Sequence, residues 1–128
     1  MEPIKFTIPL VPITKKNSPR IITVQPKGKE PYQKLLPSKA FERYEKDAGW
    51  FIPHRGANLS HPCEVVELFY MPDERRVDLT NLEESLDDIL VKYQLLQDDN
   101  SKIIVSHDGS RVLVDKKNPR TEVTIRFL

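Results

Sequence analysis

The sequence predicts an α+β domain, a mixed β-sheet with two helices packed on one of its faces. Three observations lead there. Short β-branched or alternating apolar runs recur along the chain, and two longer segments instead carry apolar residues at helical spacing. The strands are not regularly interleaved with helices, which separates this pattern from a doubly wound parallel sheet. The length, 128 residues, suits one compact domain spanning 1–128.

Residues 3–13 place Ile4, Phe6, Ile8 and Leu10 on one side of an extended segment, and Pro3, Pro9 and Pro12 confine it to a sheet edge or to its own ends. A polar turn, Thr14 to Arg20, leads to the β-branched run Ile21-Ile22-Thr23-Val24. Residues 25–37 are rich in Pro, Gly and Lys and read as a loop. Ser38 then stands as N-cap of a helix over 39–52, with Phe41, Tyr44, Ala48 and Phe51 on one side. Trp50, Phe41 and Tyr44 read as core or dimer-interface residues. After a loop from Pro53 to Pro62, Glu64 to Met71 is the strongest strand candidate. Thr80 and Glu83 form a capping-box pattern, and Leu82, Leu86, Ile89, Leu90 and Tyr93 follow as one apolar helical stripe. Strands at 103–105, 111–114 and 122–127 complete the order β-β-α-β-α-β-β-β.

One cysteine, Cys63, allows no disulfide within the chain, which suits a reducing, cytoplasmic setting. The proline-broken N-terminus lacks the continuous apolar run of a signal peptide, and no segment approaches the length of a membrane span. Four glycines and no phosphate-cradling loop argue against nucleotide binding. His54, His61 and His107 show no ligand-like spacing, so no zinc motif is expected. Asp98-Asp99-Asn100 fails as a calcium loop because Ile103 stands where the loop needs glycine.

Charge is nearly balanced overall but unevenly spread. Residues 1–64 carry eleven Lys/Arg and six Asp/Glu, and residues 65–128 carry nine and thirteen. Nine carboxylates and three Lys/Arg lie between Asp73 and Asp99. Carboxylates packed so closely call for a divalent cation, and Mg²⁺ suits oxygen donors. On the second helix Asn81, Ser85, Asp88 and Lys92 share one flank of the apolar stripe. Glu84 turns toward solvent, and Glu83 and Asp87 occupy the opposite flank, where they read as a solvated acidic face.

The run Arg75-Arg76-Val77-Asp78-Leu79-Thr80-Asn81-Leu82, then Asp88-Ile89-Leu90, then Asp98-Asp99, resembles the RusA family of Holliday-junction resolvases. The family pattern, a basic residue, Asp-x-Asp-Asn-Leu, an Asp-x-Leu on the helix and a closing Asp-Asp, aligns without a gap from Asp78 to Asp99. The resemblance implies a RusA-like fold and a homodimer that binds four-way DNA junctions and cuts them with Mg²⁺, Mn²⁺ substituting. It assigns catalytic roles to Asp78, Asp99 and Asp88, and metal binding to Asp78, Asp99 and Asp98. Lys15, Lys16, Asn17, Arg75, Arg76 and Lys102 are the expected DNA contacts, and a phage or prophage origin is in keeping with the family.

Two positions depart from the pattern. Thr80 replaces the second acid of Asp-x-Asp, and Glu84 stands where the family has a lysine. Either the site is rebuilt, with Glu84, Asp88, Asp98 or Asp108 supplying the carboxylate and Lys92 or Lys102 the cation, or the domain is a silent junction- or DNA-binding module.

Overall fold

The computed structural model describes residues 2–16 and 19–128. Its elements run β1 (Ile4–Ile8), β2 (Arg20–Val24), β3 (Tyr32–Leu36), α1 (Lys39–Ala48) with a 3₁₀ turn over Gly49–Phe51, β4 (Cys63–Met71), α2 (Leu79–Lys92), β5 (Ile104–Ser106), β6 (Arg111–Val114) and β7 (Arg120–Phe127).

β4 is the axis of the main sheet. β7 pairs antiparallel along one side of it, and β1 pairs antiparallel with β7 to form an outer edge. On the other side two short strands share β4's length. β5 runs parallel to β4 at Cys63 and Glu64, and β6 runs parallel to it from Leu68 to Met71. Between them, β4 has no strand partner on that side at Val65 to Glu67. β2 and β3 form a separate antiparallel hairpin.

The alternation of β4 buries Cys63, Val65, Glu67, Phe69 and Met71 on one face, and β7 adds Thr121, Val123 and Ile125. Phe41, Tyr44 and Ala48 of α1 and Leu82, Leu86, Ile89 and Leu90 of α2 join them in a single core cluster. The fold is thus the expected mixed sheet with two helices on one face. Alternating strands and striped helices dictate this arrangement, since each has one apolar surface to remove from water. Where α1 passes α2 the approach is close. A Cβ on Gly49 would overlap the Tyr93 ring, and the Tyr93 hydroxyl donates to the Glu45 carbonyl at 3.0 Å.

Several local expectations are corrected. The 25–37 segment contains a strand, because residues 32–36 pair register-for-register with β2 despite their polar flanks. The first strand ends at Ile8, just ahead of Pro9. Helix α1 stops at Ala48 and Phe51 is exposed rather than on its buried side; of Phe41, Tyr44 and Trp50, the first two enter the core, and Trp50, 78 % exposed, is left to the interface half of its reading. Ser38 caps α1 as expected, accepting from the Phe41 amide at 3.1 Å. Thr80 does not cap α2. Asp78 is the N-cap, with no side-chain cap bond, and the helix begins at Leu79. That frees Glu83 from a capping box and lets it turn inward.

Candidate metal centre

Ionisable side chains flank the α2 stripe on both sides. On the first flank Ser85 Oγ accepts the Lys15 amide at 2.8 Å and Asp88 takes the Lys15 ammonium at 2.9 Å. Lys16 pairs with Glu84 at 3.2 Å, and Lys92 reaches Glu45 on α1. The basic turn after β1 is therefore laid against the acidic helix. The Asp88 hydrogen bond, partly opposed by burial, holds the Lys15 ammonium above its ordinary range.

The second flank faces inward. Glu83 and Asp87, one turn apart, point at β4 and at the turn joining β5 to β6. That turn fills the gap in β4's pairing. His107 Nδ1 meets the Val65 carbonyl at 2.8 Å, and the Glu67 amide donates to Ser110 Oγ at 2.9 Å. Gly109, at φ 92°, permits the reversal between them. The His107 ring is thereby fixed with Nε2 2.7 Å from Asp87 Oδ2 and Nδ1 3.5 Å from both Glu67 Oε1 and Glu83 Oε2.

Glu67 is 0 % exposed, and neither of its carboxyl oxygens has a hydrogen-bond donor in contact; Asp87 Oδ1 is likewise buried and without one. Desolvation, and then the neighbouring Asp87 and Glu83, push the Glu67 carboxyl well above the usual range. A Glu67 carboxyl that keeps its proton has one to donate, and the Asp87 carboxylate beside it lacks a donor. Burial also raises Glu83, with His107 opposing and Asp87 adding to the rise. For His107, burial favours the neutral ring, yet the Asp87 hydrogen bond and charge, the Val65 carbonyl and Glu83 overcome it and hold its pKa at about 9. Nδ1 faces a carbonyl and Nε2 a carboxylate, so the doubly protonated ring suits both partners. Ligand atoms of Glu67, Glu83 and His107 lie within 4.8 Å of one another, and these three residues could hold a metal ion.

Among the described residues, no such cluster contains Asp78, Asp88, Asp98 or Asp99. Asp78 sits at the start of α2, accepting from the Asn81 side chain at 3.2 Å. From Asp78 to Asp88 the helix rises about 15 Å. Burial, followed by Asp98, Asp88 and Asp87, raises the Asp99 carboxyl; Asp78 is not among its perturbing neighbours. Asp98 is lowered by hydrogen bonds from the Asp99 amide and the Asn100 side chain. Asp88, Asp98 and Asp99 thus form one electrostatic neighbourhood.

Of the expected basic contacts, Arg75 is chelated by Asp73 through two bonds of 2.7 Å. Arg76 and Lys102 are exposed, and among the described residues neither side chain has an ion-pair partner. Asn17 lies outside the described residues. Glu84 is engaged by Lys16, and Asp108 is exposed in the β5–β6 turn.

The expectation that Glu83 and Asp87 face solvent is overturned, as is the dismissal of His107. Both acids lie within reach of one imidazole that the chain delivers from twenty or more residues away. A signal for this existed in β4, where Glu67 falls in the buried phase of an otherwise apolar row. No protein-family model matches the chain, and no curated protein matches it.

Proposed function

We propose that this chain is a divalent-metal-dependent DNA endonuclease acting on branched DNA, as the RusA-like motif from Asp78 to Asp99 implies. The observation that supports the reading is the crowding of Asp99. Burial, followed by Asp98, Asp88 and Asp87, raises its carboxyl, and the turn that carries Lys15 and Lys16 lies against Asp88 and Glu84 of α2. A partly buried acid with further acids beside it is a place where an added cation is stabilising. Asp99 and Asp98, with Asp88 beside them, are the residues that would hold Mg²⁺ or Mn²⁺ on this surface. Such an ion supplies charge neutralisation at a phosphate and a more acidic water.

The chain's own side chains would do the rest. Lys15 and Lys16 exchange their carboxylate partners for DNA phosphates, and Arg76 and Lys102 add contacts that position the backbone without reading sequence. Two symmetric cuts require two copies of the chain, so the acting species is a homodimer.

A second reading is a binding module of the same fold without cleavage. It draws on Thr80, which brings no carboxylate to the start of α2, and on Glu84, which neutralises Lys16 where the family pattern has a lysine. One experiment separates the two. A synthetic four-way junction and a matched linear duplex are incubated with Mg²⁺, Mn²⁺ or EDTA, using the wild-type chain, Asp99→Asn and Asp78→Asn. Junction-selective cutting that needs metal and is lost in Asp99→Asn supports the nuclease. Salt-sensitive junction binding with no cutting in either metal supports the module, and absence of binding at low salt removes both.

A further inference from the structure

We propose that Glu67, Glu83 and His107 form a buried binding site for one four-coordinate first-row transition cation of the Zn²⁺ class, with Asp87 as the carboxylate that orients the imidazole. The inference is separate from the nuclease reading. It concerns the inner flank of α2 rather than the Asp98–Asp99 turn, and it stands whether or not DNA is cut.

Geometry carries it. His107 Nδ1 lies 3.5 Å from Glu67 Oε1 and 3.5 Å from Glu83 Oε2. Donors arranged tetrahedrally at Zn²⁺ bond lengths are separated by roughly 3.3–3.4 Å, whereas neighbouring donors of an octahedral Mg²⁺ sit roughly 2.9 Å apart. Both carboxylate oxygens therefore stand from the imidazole nitrogen at close to the tetrahedral spacing, and all three ligand atoms lie within 4.8 Å of one another. Imidazole nitrogen with two carboxylate oxygens is also a donor set that transition cations prefer and Mg²⁺ does not.

The surroundings match what such a centre requires. Glu67 points into the cluster from the sheet, wholly buried, with both oxygens lacking a donor. On the opposite edge of the imidazole, Nε2 faces Asp87 Oδ2 at 2.7 Å. A ligating histidine held through its other nitrogen by a carboxylate is a recurrent way of fixing ring orientation and strengthening the donor. When Nδ1 gives its hydrogen up to bind the cation, the Val65 carbonyl keeps a second donor in reach, Ser110 Oγ at 3.5 Å. The fourth corner falls to a water. Access exists, because the His107 side chain remains 24 % exposed and Glu83 13 %.

Charge agrees with geometry. Two glutamates balance a divalent cation, Asp87 stays paired with the imidazole N–H, and no lysine or arginine forms an ion pair with the cluster among the described residues. Held from β4, α2 and the β5–β6 turn, the ion would pin the acid-bearing helix to the sheet.

The test uses the full chain stripped with EDTA and dialysed against Zn²⁺ or Co²⁺. One equivalent should bind, Tm should rise by several degrees, and the Co²⁺ form should show the intense visible bands of four-coordinate cobalt. Glu83→Gln and His107→Gln should lose the bound equivalent. Asp87→Asn should keep the stoichiometry but weaken affinity by about 10–100-fold. Glu83 lies toward the open end, so Glu83→Gln reports on the site if Glu67→Gln fails to fold, and far-ultraviolet circular dichroism checks each variant. Absence of a stoichiometric ion in the wild type overturns the proposal. So does an ion that survives both Glu83→Gln and His107→Gln, or one whose Co²⁺ spectrum is octahedral.

Discussion

On the flank of α2 that faces the segment after β1, Asp88 and Glu84 lie at the surface with Lys15 and Lys16 against them. On the flank that faces β4, Glu83 and Asp87 lie inside, with one imidazole between them and the fully buried Glu67. The residue types are alike and the chain separation is a few positions, yet the consequences differ. At the surface each acid has a cation and water, and such pairs contribute little to stability. In the interior three carboxylates share one base, and the deficit must be met by protons or by a metal ion. Burial, rather than the number of carboxylates, decides where this molecule is electrostatically poised.

The largest expected effect breaks the inner side. In the metal-free chain, His107→Ala should cost about 3–5 kcal/mol in a denaturant titration, because it leaves buried acids without their base. Glu67→Met, which removes an unpartnered buried carboxyl and keeps its volume, should be neutral or stabilising in the same measurement. If the two substitutions destabilise equally, the cluster is not short of positive charge.

Next in size is a pH effect with an unusual sign. Folding raises the pKa of both Glu67 and His107, so the folded state binds more protons than the unfolded one and stability falls as pH rises. The His107 contribution is complete below 6.5 and is lost as pH rises through about 9. Thermal melts in EDTA should therefore show Tm dropping by several degrees between those limits, with a much smaller drop in His107→Gln.

The outer flank should respond in binding rather than in folding. Lys15→Ala and Lys16→Ala should each weaken junction binding and reduce the salt slope by about 1, read by fluorescence anisotropy across a salt series. The smallest effect is that of Asp88→Asn on stability, which should stay within about 1 kcal/mol because the Lys15 pair is solvated.

The sequence exposes much of the fold and only half of the charge chemistry. Strands β4 and β7 and helix α2 are legible because each follows one strict period over many residues. β3 is not, since its pairing with β2 comes from a partner strand and not from its own polar residues. The acids at Asp88, Asp98 and Asp99 are legible as a motif. The inner cluster is hidden for two reasons. The Thr80–Glu83 capping pattern directs Glu83 to the helix end, where helix geometry in fact starts the turn at Asp78. And the placement of His107 depends on a gap between β5 and β6 on one side of β4, a feature of strand pairing that no local pattern records. Glu67 alone carried a visible mark, a charge in a row of buried apolar positions.

The most direct test of the inner cluster's charge state is a two-dimensional NMR titration of the three histidine rings in the EDTA-treated chain. The His107 ring should remain protonated on both nitrogens through neutral pH and titrate near 9. A His107 that titrates at or below 6.5 would mean that Asp87 and Glu83 do not hold its proton, and the contrast between the two flanks of α2 would fail.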